Sequence, residues 1–204
     1  MDHLDTAQLV AIASVLGFAS GIRLYLVLFG VGLAGWMGWV DLPAGLQVLS
    51  HPWVLGASGF MMAVEFFADK VPALDSLWDA LHTLIRIPAG AALAAAGLGG
   101  DSALWATIAA LLGGSLAATS HFTKAGGRAL VNTSPEPFSN VAVSTGEDVL
   151  TGGLLLLVLA YPWVAAAIVL LLVLAAAWLL PKLAGFVIRL LRRLFGNAAR
   201  EQAR

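Results

Sequence analysis

From Gln8 to Leu180 the chain is a succession of apolar runs broken only by short polar or Gly/Pro-containing joints. About 20 apolar residues are what an α-helix needs to cross the ~30 Å hydrocarbon layer. The pattern therefore confines the chain to a helical membrane bundle. Composition agrees: 60% of the 204 residues are hydrophobic and 11% charged, with a mean hydropathy of +0.89. A soluble domain is about half apolar and a quarter charged. The expected fold class is all-α, a polytopic transmembrane bundle of about six to seven segments. One domain is expected over residues 1–181, followed by a basic amphipathic cytoplasmic tail over 182–204.

The breaks set the segments. A short first run, Gln8 to Ser20, is interrupted at Gly21-Ile22-Arg23, and Leu24 to Val40 follows. A loop with Asp41, Pro43 and Gly45 ends at His51-Pro52. A third run, Trp53 to Phe67, stops at Asp69-Lys70. The fourth starts near Pro72 and reaches about Leu98, and the fifth runs from Ser102 to Phe122. A polar connection is expected over Thr123 to Thr133. The sixth segment starts at Ser134-Pro135 and reaches about Ala160, and the seventh runs from Val164 to Leu180. The first run is short for a span and is expected either to cross a thinned layer or to re-enter.

Alternation of these segments puts Arg23, Lys70, Lys124, Arg128 and the tail on one side. Asp41, His51 and Asp101, with no Lys or Arg, fall on the other. The positive-inside rule makes the basic side cytoplasmic. The expected location is the cell inner membrane, with the C-terminus in the cytoplasm. Trp36, Trp39, Trp53, Trp105 and Trp163 fall near the outer ends, where interfacial anchors belong. In the tail, Leu183, Phe186, Val187, Leu190 and Leu194 share one face, away from Lys182, Arg189, Arg192 and Arg193. That is a helix suited to an anionic lipid surface, or else a plain extension of the last segment.

Two stripes of charge run against this apolar background. In the fourth segment Asp75, Asp79, His82 and Arg86 are spaced three and four apart and share a helical face. Arg86 lies fourteen residues after Pro72, about 21 Å along a helix. Arginine does not shed its proton, so it needs a partner or water there. In the sixth segment Glu136, Asn140, Ser144 and Glu147 recur at helical spacing, with Asp148 beside them. Ser134 is placed as an N-cap and Pro135 suits the first helical position. Charge inside hydrocarbon is retained for a reason, so these nine residues are the candidate ion- or substrate-binding set. Arg86 and Glu147 are the expected ion pair between the stripes. Two plainer readings stand beside this one: the charges lock helices together, or the helices begin outside the bilayer.

Other features are weaker. Glu65, Asp75, Asp79, His82 and His121 would suit a divalent metal by donor type, but no HxxH or HExxH spacing supports it. Gly17, Gly21, Gly56, Gly59, Gly113, Gly114, Gly152 and Gly153 permit close helix approach. The three units of helix, charged elbow and helix hint at an internal repeat, of the kind that marks transporter sites. The absence of cysteine excludes disulfides and thiolate chemistry. The N-terminal acids give no basic region for a cleaved signal peptide. No phosphate-cradling Gly-rich loop and no Gly-x-Ser-x-Gly elbow is present, and no cofactor is implied. The net charge of −1 gives no reason to expect a nucleic-acid partner.

The Gly21-Ile-Arg23 elbow, Asn132-Thr-Ser-Pro-Glu136-Pro-Phe-Ser-Asn140 with downstream Glu147-Asp148, and the Leu-Leu-Pro-Lys run before a basic tail belong together. In these the chain resembles a family of bacterial integral membrane proteins catalogued as domain of unknown function 4126. The resemblance implies a polytopic inner-membrane protein and no activity. The leading expectation is a small transporter or channel-like protein, not an enzyme, with a polar site for an ion or small solute between the fourth and sixth segments. The alternative is a non-catalytic scaffold with structural ion pairs and a lipid- or partner-binding tail, and a third reading is an intramembrane enzyme using His82 or His121. Membrane lipids, a small ion or solute and a second copy of the chain are the expected partners.

Overall fold

A computed structural model describes residues 5–98, 102–133 and 137–201. Among these, six α-helices and one 3-10 helix make up the protein. They are α1 (Thr6–Trp36), the 3-10 helix (Ala44–Ser50), α2 (Pro52–Ala68), α3 (Pro72–Leu98), α4 (Ala103–Val131), α5 (Pro137–Ala160) and α6 (Pro162–Glu201). Five of the six α-helices, all but α2, are long and apolar enough to cross a membrane. The ends are built as the sequence signals: Asp5 and Gln8 form a reciprocal capping box on α1, Ser102 caps α4, and Pro52 and Pro162 open α2 and α6.

Helix α1 carries the first departure from regularity. Arg23 leaves helical geometry (φ −140°, ψ 78°), and the chain doubles back there. Ile12 and Leu16 before the bend line the same 110 Å³ cavity as Gly30, Val31 and Val40 after it. A straight helix would separate Ile12 from Val31 by about 28 Å. The elbow at Gly21-Ile-Arg23 thus exists, with one limb of about 25 Å and another of about 20 Å by helical rise. Both limbs form the centre of the bundle. Leu16, Ala19, Leu24, Val27 and Val31 pack with Leu46, Leu49, Leu93 and Leu155, while Val15, Phe18 and Ile22 pack with Leu154, Val158, Ala165 and Val169.

The bundle has two unlike ends. The bend in α1, the α2–α3 turn, the start of α5 and the end of α4 gather at one. Trp36, Trp53, Trp105 and Trp163, all exposed, sit at helix ends on the other. This is the segregation that the loop charges require. Helix α6 is 40 residues long, about 60 Å, or twice the hydrocarbon thickness. It therefore runs past the charged end, without a break at Pro181, through the residues of the basic tail. Lys182, Arg189 and Arg192 are exposed on it, Lys182 lying over the Trp178 ring, while Leu183 is buried against Gly126 of α4. The side chain of Arg193 lies outside the described residues.

One expected joint is corrected. The connection assigned to Thr123–Thr133 is helix: α4 continues to Val131 and turns only at Asn132-Thr133. The glycines at 126 and 127 do not break it. The charges of Lys124 and Arg128 need no exit to water, because buried carboxylates await them inside.

Candidate functional site: a buried column of charge

The face shared by Asp75, Asp79, His82 and Arg86 is real, and all four are buried. Helix α4 lies antiparallel to α3 and answers it rung by rung. Arg86 Nη1 donates to Asp79 Oδ1 (2.7 Å) and to His121 Nδ1 (3.3 Å), and its Nη2 donates to Glu65 Oε1 on α2 (2.6 Å). One turn nearer the charged end, Lys124 Nζ donates to Asp69 Oδ2 (2.9 Å) and lies 3.4 Å from Asp79. Next, Arg128 faces Asp75 at 3.6 Å, and Asn132 donates to Asp75 Oδ2 at 3.1 Å. From Asp75 to Arg86 the column is about 16 Å long.

The second stripe closes the column from α5. Glu147 takes two parallel bonds from Arg128 (Nε to Oε1 and Nη2 to Oε2, both 3.0 Å), the planar fork that suits a carboxylate. Asn140 Oδ1 accepts from Arg128 Nη1 (2.5 Å), and Ser144 Oγ accepts from Arg23 Nη2 (2.9 Å). Arg23, freed from helix geometry at the bend, pairs with Asp69, with Asp148 (3.0 Å) and with Glu147 (3.4 Å). Glu136 lies outside the described residues.

The two stripes thus meet in one network, though not through the expected pair. Arg86 is held by Glu65 and Asp79, and Glu147 is held by Arg128, Arg23 and Lys124. The reason is depth: Glu147 lies level with Arg128, whereas Arg86 lies two rungs further in on a helix that α5 scarcely touches. The sequence reading left Arg23, Asp69, Lys124 and Arg128 out of the set, counting the basic ones as loop charges. For Lys124 and Arg128 the signal was the spacing His121, Lys124, Arg128, which continues one face of a helix, whereas no local pattern marks Arg23 or Asp69.

Both histidines fit the neutral form. His82 Nδ1 donates to Trp78 O (2.8 Å), which leaves Nε2 to accept from the Tyr25 hydroxyl (3.1 Å). The Thr83 hydroxyl donates to Asp79 O (2.9 Å), so it accepts from His121 Nε2 (2.7 Å), and His121 Nδ1 is then the lone pair that faces Arg86. With both neutral, six carboxylates (Glu65, Asp69, Asp75, Asp79, Glu147 and Asp148) face four cations (Arg23, Arg86, Lys124 and Arg128). Lys70 stays at the rim, donating to Phe66 O (3.1 Å) with its ammonium over the Phe66 ring. Glu65 Oε2, Asp69 Oδ1, Asp79 Oδ2 and Asp148 Oδ2 are buried without a hydrogen-bond partner. No group of three His, Asp or Glu is placed to hold a metal ion among the described residues.

The column is blind at its inner end. Beyond Arg86, Gly90 of α3, Gly113 of α4 and Gly17 of α1 touch backbone to backbone. A Cβ on Gly17 would lie 2.7 Å from Gly113 Cα, and one on Gly113 would lie 2.5 Å from Gly90 O. At the other end the network reaches the surface at Glu147 and Asp148, whose side chains are 13% and 25% exposed.

This arrangement uses the residues by which the chain resembles a known family, and that family, described as a domain of unknown function (DUF4126), matches residues 10–182. The chain belongs to the DUF4126 family. The matched region takes in every described member of the column, from Arg23 to Asp148, and stops at Lys182, where the basic tail begins. No curated protein and no solved structure matches the chain.

Proposed function

We propose that this DUF4126 protein is a small membrane transporter or channel-like protein that carries a cation or a proton through the charged column. The excess of two carboxylates over the four cations paired with them carries this reading: four of the six are buried, and Glu147 and Asp148 lie part-exposed at the open end. Uncompensated negative charge in a low dielectric must take up protons or bind a cation. Each of the four basic groups inside the column already has two or more carboxylate partners, so within it no cation is left over for an anionic solute, and Lys70 stays at the rim. The glycine contact beyond Arg86 makes this a closed state, open toward the charged end. Conduction requires α1, α3 and α4 to part there.

Purified protein in liposomes under an imposed proton or Na⁺ gradient tests the reading. Flux above protein-free liposomes is expected, and Glu65→Gln and Asp79→Asn should abolish it while the protein still folds. Absence of flux in both gradients, or flux indifferent to both substitutions, overturns it. The same full pairing of basic groups favours the second reading, a scaffold with locked helices, which gives no flux and large losses of stability on substitution.

A further inference from the structure

Helices α2 and α5 scarcely touch, although both carry carboxylates of the column. The gap between them is a cavity of 410 Å³, within the usual ligand-site range, floored by the bend of α1. Its walls are Leu26, Met62, Ala63, Phe66, Phe67 and Gly152, and its inner end is Arg23, Glu65 and Asp148. Phe66 and Phe67 are exposed at its mouth, so it faces sideways, toward lipid, rather than along the helix axes.

The polar end of this cavity is unbalanced. Glu65 is 1% exposed, and only its Oε1 is used, by Arg86, so Oε2 has no partner. Asp148 Oδ2 is likewise without one. Arg23, between them, is already held by Asp69 and Asp148. An apolar chamber ending in unpartnered carboxylate oxygens is complementary to a positive charge on an apolar body, and it repels the same body carrying a negative charge. At the mouth the Lys70 ammonium covers one face of the Phe66 ring, and the exposed Phe67 ring adds a favourable surface for such a cation.

We propose that the α2–α5 cavity is a lateral binding site for a lipophilic organic cation, reached from the bilayer, with Glu65 and Asp148 as its counter-charges. The inference rests on the cation reading of the column and names a substrate class for it. A hydrated inorganic ion would gain nothing from the apolar walls, whereas a lipophilic cation concentrates in the membrane and meets the site there.

The test uses the full chain in nanodiscs and two probes of one shape and opposite charge, tetraphenylphosphonium and tetraphenylborate, with empty nanodiscs subtracted. Saturable binding of tetraphenylphosphonium and none of tetraphenylborate is expected. Glu65→Gln should weaken the former by about tenfold or more, since it removes a close charge from a poorly screened site. Gly152→Leu provides the variant that spares the charges. Nothing lies within 4 Å of a Cβ there, so the protein should melt unchanged while the new side chain fills the chamber and binding is lost. Tetraphenylphosphonium binding that is unsaturable, matched by tetraphenylborate, or unaffected by Gly152→Leu overturns the lateral site. Inorganic cation flux by the wild-type protein without tetraphenylphosphonium binding overturns the site alone. Absence of both overturns the site and the column reading together.

Discussion

Replacing Arg86 by Met should destabilise the protein more than almost any other single side-chain change, and replacing its partner as well should restore much of the loss. Arg86 is fully buried and bonded to Glu65 at 2.6 Å and Asp79 at 2.7 Å. Burying an ion pair gains little net free energy, because desolvation offsets the attraction, but removing one partner leaves a buried charge uncompensated at a cost of about 3–5 kcal/mol. Two carboxylates lose a partner here. Asp79 retains Lys124 at 3.4 Å, whereas Glu65 has no other cation within salt-bridge distance among the described residues. The cost of Arg86→Met should therefore sit at Glu65. Glu65→Leu combined with Arg86→Met removes both charges and leaves apolar groups of similar bulk, so the double variant should lie within about 1–2 kcal/mol of the wild type. Unfolding by SDS from mixed micelles, followed by circular dichroism, measures all four corners of this cycle. A single-variant loss below about 1 kcal/mol, the range of exposed pairs, would refute the claim that the column is dry. A double variant no better than Arg86→Met would refute the assignment of the cost to Glu65.

Three further outcomes follow from the geometry. Arg128→Lys keeps the charge but loses the two-pronged bond to Glu147 and the bond to Asn140; it should cost about 1.5–3 kcal/mol in the same unfolding assay. Gly113→Ala places a methyl against Gly90 O and Ala94 and should cost about 1–3 kcal/mol by overpacking, with no change at the charged end. Because the chain has no cysteine, Asp41→Cys and Arg192→Cys each introduce a unique thiol. In intact cells a membrane-impermeant maleimide should label the former and reach the latter only after permeabilisation. The reverse pattern would invert the orientation.

The apolar runs and their breaks determine the helices almost residue by residue for α2 and α3, because Pro52 and Pro72 start them and the apolar runs stop at Ala68 and Leu98. The shared face of Asp75, Asp79, His82 and Arg86 follows from helical periodicity alone, and so does the alignment of Asn140, Ser144 and Glu147. The two-ended distribution of charge is likewise local information, since it depends only on counting segments. Burial is not local. Lys124 and Arg128 carry the same charge whether they lie in a loop or opposite Asp69, Asp79 and Glu147, and the rule that reads a basic joint as a surface joint gives the wrong answer for α4.

The pairing of Arg86 with Glu65, 21 residues apart, depends on how α2 and α3 set their depths. The sharing of Glu147 among Arg23, Lys124 and Arg128 depends on the bend at Arg23, which brings α1 back beneath α5. Helical periodicity specifies which side chains point the same way. Only packing specifies what they point at, and in a medium without water that decides whether a charge is neutralised.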